Sequence, residues 1–262
     1  LKKKILINFE KQMGINVPKS MGLDTIGCLK ASYNHKIDFA FLLGGNLFAA
    51  TPNSKFAEQA FHNIPFKAFV STTLNQSHFF GVGEETVILP AAARDEEKQP
   101  TTQESMFNFV RISDGGIVRL SNVKSEVDII TDIAIGVLGN KKIDFSAFKK
   151  YQDIRKAIGH IIPGFDKMST IDRTKEEFQI GDRTFYDPKF ATHDNKAIFK
   201  TITIPEQPVM NGQFKMSSIR SDEQFNTIVY EDEDTFRGIN QRRVVVINQD
   251  DMLNLKLKEN DK

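Results

Sequence analysis

The apolar positions of this chain follow two different periods, and the change between them divides it. In the first third, short apolar runs alternate with segments whose apolar residues fall three and four apart, the pattern of strands alternating with helices in a layered α/β arrangement. The runs predict strands over Phe39 to Leu43, Phe66 to Ser71 and Thr86 to Leu89. Between the first two, Thr51-Pro52 offers a hydroxyl cap and a proline at the first helical position, and Phe56, Ala57, Ala60 and Phe61 share one face. Ser125-Glu126-Val127-Asp128 opens a second helix with a capping serine and early carboxylates; Val127, Ile130, Ala134 and Val137 form its expected buried stripe and Gly139-Asn140 its stop. A third helix is predicted from about Asp144 to Ile158, ended by Gly159.

From Ile162 to Asn195 the turn dipeptides Pro163-Gly164, Gly181-Asp182 and Asp187-Pro188 interrupt any periodicity, and the stretch reads as a connection. Beyond it the period becomes two. Ile198, Lys200, Ile202 and Ile204 alternate with Phe199, Thr201 and Thr203, and Phe214 to Ile219, Thr227 to Tyr230 and Arg243 to Ile247 predict further strands of a β-barrel or barrel fragment. The expected organisation is therefore an α/β domain over residues 1–160, a connection over 161–195 and a β-barrel domain over 196–262. Leu255-Lys256-Leu257-Lys258 reads as one more strand beginning, and with Leu1 in place of an initiator methionine both ends look cut.

Composition narrows the function classes. The 262 residues carry 35 Lys and Arg against 34 Asp and Glu, so no global field recruits nucleic acid or an anionic membrane. No apolar run reaches the length of a membrane span, and the Leu1 to Glu10 start is too weakly apolar for a signal peptide, which makes the cytoplasm the expected compartment. Cys28 is the single cysteine, and His35, His62, His78, His160 and His193 lie apart. The chain alone therefore offers no disulfide, thiolate cluster or spaced zinc site, and no metal ligand is assigned.

Candidate chemistry concentrates in loops. Gly44-Gly45-Asn46 follows the first strand; two glycines there serve either a tight connection or a close backbone approach to a ligand, with a following helix offering N–H groups to an anion. The third glycine of the dinucleotide fingerprint is missing, as is an acidic residue placed to hold a ribose, which disfavours an NAD site. After the second strand, Ser71, Thr72, Thr73, Leu74, Asn75 and, shortly beyond, His78 form a small polar segment where open α/β sheets bind ligands; the same residues also suit a capped loop. Arg220, Ser221, Gln224, Phe225, Asn226 and Thr227 combine a guanidinium, amides and hydroxyls suited to phosphate or pterin oxygens, or to a surface turn in which Arg220 pairs with Asp222 or Glu223.

These features resemble one family. Val87-Ile88-Leu89-Pro90-Ala91-Ala92-Ala93-Arg94-Asp95-Glu96, continuing into Gln99 to Met106, is similar to a stretch of formate-dehydrogenase-like molybdopterin oxidoreductases. Arg220-Ser221-Asp222-Glu223-Gln224-Phe225-Asn226-Thr227 and Tyr230 resemble that family's R-S-x-x-Q-F-N-T-x-x-Y. Asp234-Thr235-Phe236-Arg237-Gly238-Ile239 resembles its D-x-Y-R-G-(I/V), and Arg242 to Asn248 with Asp251 resembles its R-R-V-V-x-(M/L)-N-x-x-D. The resemblance runs from about Lys36 to Lys262 and is weakest between Pro163 and Asn195. It implies a layered α/β cofactor-binding domain followed by an incomplete double-psi β-barrel, cradling a bis(molybdopterin guanine dinucleotide) cofactor with molybdenum. Gly44, Gly45, Asn46 and the Ser71 to Asn75 loop would hold a guanine dinucleotide, and Arg220, Gln224, Phe225, Asn226 and Thr227 would face a pterin.

The family's iron–sulfur domain and molybdenum ligand precede everything matched here, so an iron–sulfur cluster, if present, comes from residues outside this chain and no catalytic residue is assigned within it. The implied partners are a small-molecule substrate such as formate, the remainder of the same polypeptide and an electron-transfer protein. A reading from another class, a non-catalytic purine-nucleotide-binding or regulatory module using the same strand end, uses the glycines equally well.

Overall fold

The computed structural model describes all residues except 106–107, 182–189, 191, 205, 207, 211, 223, 226–227, 230–232, 242–243 and 262. The chain is mixed α/β and divides into two compact units, Leu1–Thr201 and Ile202–Lys262.

The first unit opens with helices α1 (Lys2–Met13) and α2 (Thr25–Tyr33), followed by β1 (Phe39–Leu43), α3 (Leu47–Ala50), α4 (Ser54–His62), β2 (Phe66–Ser71), α5 (Ser77–Phe80) and β3 (Glu85–Pro90). The three strands form a parallel sheet in the order β1-β2-β3, so Leu43, Ser71 and Pro90 end on the same edge. Their pleat divides the apolar residues between two faces. On one, Phe69 packs with Leu29, Ala60 and Phe61 of α2 and α4, and Leu42, Leu47 and Phe56 close the cluster. On the other, Val70 and Leu89 pack with Ala91 and Ile129. That last residue belongs to α6 (Glu126–Leu138), which Ser125 caps by accepting from the Asp128 amide at 3.0 Å.

A second sheet is antiparallel, with β4 (Thr101–Glu104) and β6 (Phe178–Gln179) flanking β5 (Phe109–Ser113). Arg94 ties it to the end of the first sheet: its guanidinium donates to the Thr101 hydroxyl at 3.2 Å, to the Ser113 hydroxyl at 3.1 Å and to the side-chain Oε1 of Gln103. Its core gathers Val110, Met168, Ile171, Phe178 and Ile180. Residues 161–180, read from sequence as connecting chain, thus supply a 3-10 turn over Asp166–Ser169, helix α8 (Ile171–Thr174), strand β6 and all of those core residues but Val110.

Several boundaries differ from the sequence pattern for identifiable reasons. Helix α4 is capped by Asn53, which accepts from the Phe56 amide at 3.1 Å, and not by Thr51, whose hydroxyl instead donates back to the Leu47 carbonyl at 2.8 Å. The third predicted helix breaks at Lys150, whose extended backbone separates a 3-10 turn over Phe145–Lys149 from α7 (Tyr151–Ile161). Gly159 lies inside α7. A Cβ there would meet the Ser169 backbone nitrogen at 2.8 Å, so its glycine serves close packing and not a helix stop. Helix α6 is apolar around much of its circumference, and its fully buried residues, Ile129 and Thr131, lie outside the predicted stripe, of which Ile130 is 40% and Val137 76% exposed.

In the second unit, β7 (Gln224–Phe225) pairs antiparallel with β8 (Ile228–Val229), an isolated bridge joins Asp234 to Ile239, and α9 (Gln249–Asn254) is capped by Asn248. No closed barrel forms among the described residues. The alternating segments Ile198 to Ile204 and Phe214 to Ile219 make no ladder, and Phe199, Ile202 and Met216 are 95%, 85% and 86% exposed. Alternation records a two-sided surface but supplies no neighbour for the backbone N–H and C=O groups, and without a neighbour a strand is not made. Leu255 to Lys258, read as a starting strand, is instead the exit turn of α9, with Lys256 at φ 57° and the Leu257 amide donating to the Met252 carbonyl.

Candidate functional site

Two of the loops singled out in the sequence meet at the C-terminal edge of the parallel sheet. Just past β1 the chain stays against β2 for one further residue, the Gly44 amide donating to the Val70 carbonyl at 2.7 Å, and then reverses through Gly44 and Gly45 at φ 61° and 70°. Both angles lie in the left-handed region that residues with a Cβ adopt at a cost. Beyond its chain neighbours, a Cβ at either position would meet no atom of the described residues within 4 Å, so the turn presents bare backbone.

Asn75 joins the second loop to the first. Its Nδ2 donates to the Gly45 carbonyl at 2.9 Å, its Oδ1 accepts from the Ser77 amide at 2.9 Å, and its own amide donates to Nδ1 of His78 at 2.8 Å. Ser77 carries the stitching onward, donating to Oδ1 of Asn46 at 2.8 Å and accepting from the Phe48 amide at 3.2 Å. Asn46 in turn caps α3 by accepting from the Ala49 amide at 3.3 Å.

This network corrects one expectation. The helix after Gly44-Gly45 is a single turn, and its Phe48 and Ala49 amides are already engaged by Ser77 and Asn46, so it offers no anion site at its N-terminus. Ser77, which lies in the small polar segment after the second strand but was not assigned to the site, is the buried centre of the network.

The site residues therefore divide by role. Asn46 Oδ1, the Asn75 side chain and His78 Nδ1 bond to Ser77 and to the backbone, fixing the loops. His78 is buried, edge-on to Phe69 with ring centres 4.8 Å apart, and burial holds its pKa below the ordinary histidine value. Ser71 donates to the Thr73 carbonyl at 2.6 Å. Thr72, Thr73 and Leu74 are exposed, and the threonine hydroxyls have no hydrogen-bond partner among the described residues. A ligand at this edge would meet the open backbone of Gly44 and Gly45 and the hydroxyls of Thr72 and Thr73.

The second unit holds a cleft of about 710 Å³ whose polar lining includes Arg220, Ser221, Gln224, Asp234, Arg237 and Gln241. Arg220 turns its fork onto its own loop, Nε and Nη2 donating to the Gln224 carbonyl at 3.2 and 2.6 Å, and among the described residues no ion pair joins it to Asp222. Arg237, absent from the sequence-based site, donates from Nη1 to Asp234 at 2.5 Å, while its amide donates to the other carboxylate oxygen at 3.1 Å. Burial alone would raise the Asp234 pKa, but these bonds hold the carboxyl below its ordinary range. Phe225 stands in β7; its side chain, and Asn226 and Thr227 entirely, lie outside the described residues.

Among the described residues no group of histidine, cysteine and carboxylate side chains is placed to hold a metal ion, and no helix is long and apolar enough to cross a membrane.

No family model matches the chain. It is 30% identical, over 98% of its length and 34% of theirs, to uncharacterized oxidoreductases of Mycobacterium bovis and Mycobacterium tuberculosis. It is also 25% identical, over 92% of its length, to 33% of protein YdeP of Escherichia coli. The chain thus spans about a third of the length of the curated relatives it matches.

Proposed function

We propose that this chain is the cofactor-cradling part of a larger molybdopterin-dependent oxidoreductase resembling formate dehydrogenase. The observation that carries the reading is the Asn75 bond to the Gly45 carbonyl, which unites the two loops beyond the C-terminal edge of the parallel sheet. Relatives named as oxidoreductases over nearly the whole chain support the redox class.

The donor set fits the guanine dinucleotide arm of such a cofactor. Gly44 and Gly45 leave free the volume a Cβ would occupy, and Thr72 and Thr73 present neutral donors suited to pyrophosphate and ribose oxygens. In the second unit Arg220, Ser221 and Gln224 would face a pterin, with Arg237 oriented by Asp234 in the same cleft. The strand order β1-β2-β3 contains no reversal, so this is a cradle of paired strand-end loops and not a crevice at a topological switch point. When bound, the cofactor supplies two-electron redox chemistry for a small substrate such as formate; this chain's residues hold and orient it.

The test is the composition of the protein at the length of its relatives, purified as expressed. Molybdenum with two pterins and guanine nucleotide per polypeptide supports the reading. A folded protein holding purine nucleotide without molybdenum points to the non-catalytic nucleotide-binding alternative.

A further inference from the structure

We infer that His78 is a pH-sensitive latch on the ligand loop, holding the Ser71 to Asn75 segment against Gly45 while its ring is neutral and releasing it when the ring is protonated. The inference concerns regulation of the cradle and rests on that reading for its purpose, although the latch itself is a property of the loop.

The geometry fixes the tautomer. Nδ1 of His78 accepts from the Asn75 amide at 2.8 Å, so in this arrangement Nδ1 bears no proton and the neutral ring carries its hydrogen on Nε2. Protonation places a hydrogen on Nδ1, and two donors then face each other across that contact. The ring has little freedom to turn away, because it is buried and set edge-on against Phe69. Asn75 must move instead, and Asn75 is the residue that binds the Gly45 carbonyl and the Ser77 amide. One proton is thereby coupled to both loops of the site.

The surroundings leave protonation uncompensated. Residues 71–77 and helix α3 carry no ionisable side chain, and α5 carries none besides His78. Strand β2 contributes only Lys67, a cation whose ammonium is held by the Phe61 and Ile64 carbonyls. Burial, with no charged neighbour contributing, keeps the ring's pKa below 6.5. The unfolded chain therefore binds this proton before the folded one does, and the latch stays closed above pH 6.5, then weakens as pH falls toward the folded value.

The experiment uses the cofactor-free protein, so a failure of the cradle reading does not touch it. The Asn75 amide is followed by hydrogen exchange, corrected for intrinsic rate, from pH 7.5 to 5, with the His78 imidazole titrated by NMR and the Val70 amide of β2 as reference. Wild type should lose roughly tenfold or more in Asn75 protection in step with the imidazole titration, the scale of one lost hydrogen bond, while Val70 holds. His78→Gln, which keeps an acceptor that does not titrate, should make the profile flat; His78→Phe should lose protection at every pH. Asn75 protection that stays level while the imidazole titrates, or an unchanged pH profile in His78→Gln, would overturn the latch.

Discussion

The side-chain amide of Asn75 donates to the backbone carbonyl of Gly45 across 2.9 Å, closing a gap of thirty positions in sequence. The same side chain accepts from the Ser77 amide, and Ser77 reaches Asn46 and Phe48, so one residue anchors both loops at the sheet edge. Asn75→Ala removes these two side-chain bonds. At about 0.5–1.5 kcal/mol net for each hydrogen bond, we predict a loss of roughly 1–3 kcal/mol in urea unfolding, with faster amide exchange across residues 71–77. A variant as stable and as protected as wild type would show that the loops are held by something else.

Ser77 is the more severe test of the same network. It is buried, and Ser77→Ala strips the Phe48 amide of its acceptor in a site closed to water. A buried donor left unpaired costs about 1–3 kcal/mol, and the expected outcome is a lowered urea midpoint with an unchanged denaturant slope.

Lys67 makes stability depend on pH in the alkaline range. Its side chain is fully buried, its ammonium donates to the Phe61 and Ile64 carbonyls at 2.7 Å each, and burial pushes its pKa down from 10.5 to about 8. Between those two values the unfolded chain binds the proton that the folded chain has released, so this group makes stability rise with pH from about 8 to 10.5. Urea midpoints across that range should show the rise in wild type and lose it in Lys67→Met.

Arg155 ties α7 to α8 and to the start of β4. It is buried, donates from Nε and Nη2 to both carboxylate oxygens of Asp172, the first at 2.7 Å, and from Nη1 to the Pro100 carbonyl at 2.7 Å. Removing one partner of such a pair leaves the other charged and undercompensated, which costs about 3–5 kcal/mol when both are buried. Asp172 is partly exposed, so Asp172→Ala is predicted at roughly 3 kcal/mol by urea unfolding. A loss under about 1 kcal/mol would mean that water takes the place of the carboxylate.

What was legible in the sequence depends on what each signal records. Phe39 to Leu43 and Phe66 to Ser71 announce themselves because strands of a parallel sheet are apolar along their length, and the glycines and amides just beyond them stand out against that background. The role of Ser77 was hidden, since it acts through Asn46, a partner that only the folded chain brings close, whereas Arg237 lies three positions from its partner Asp234 within the motif already quoted. The period-two tail misled for the opposite reason: the alternation of Ile198 to Ile204 is real, but pairing depends on a neighbouring strand that a local pattern cannot specify. Pro163-Gly164 likewise marked a turn correctly while concealing that Met168 and Ile171 return to a core.

The central claim is that the turn at Gly44 and Gly45 is where the cofactor's nucleotide arm approaches the backbone. Gly45→Val in the protein at the length of its relatives tests it most directly, because among the described residues a Cβ at Gly45 meets no atom beyond its chain neighbours, leaving the left-handed backbone as the cost, about 1–2 kcal/mol. Molybdenum and pterin content per polypeptide are measured in wild type and in Gly45→Val, with circular dichroism establishing that both are folded. The account predicts a wild type loaded with both and a folded Gly45→Val depleted in both. Equal loading in the two proteins, or a folded wild type without molybdenum and pterin, would contradict it.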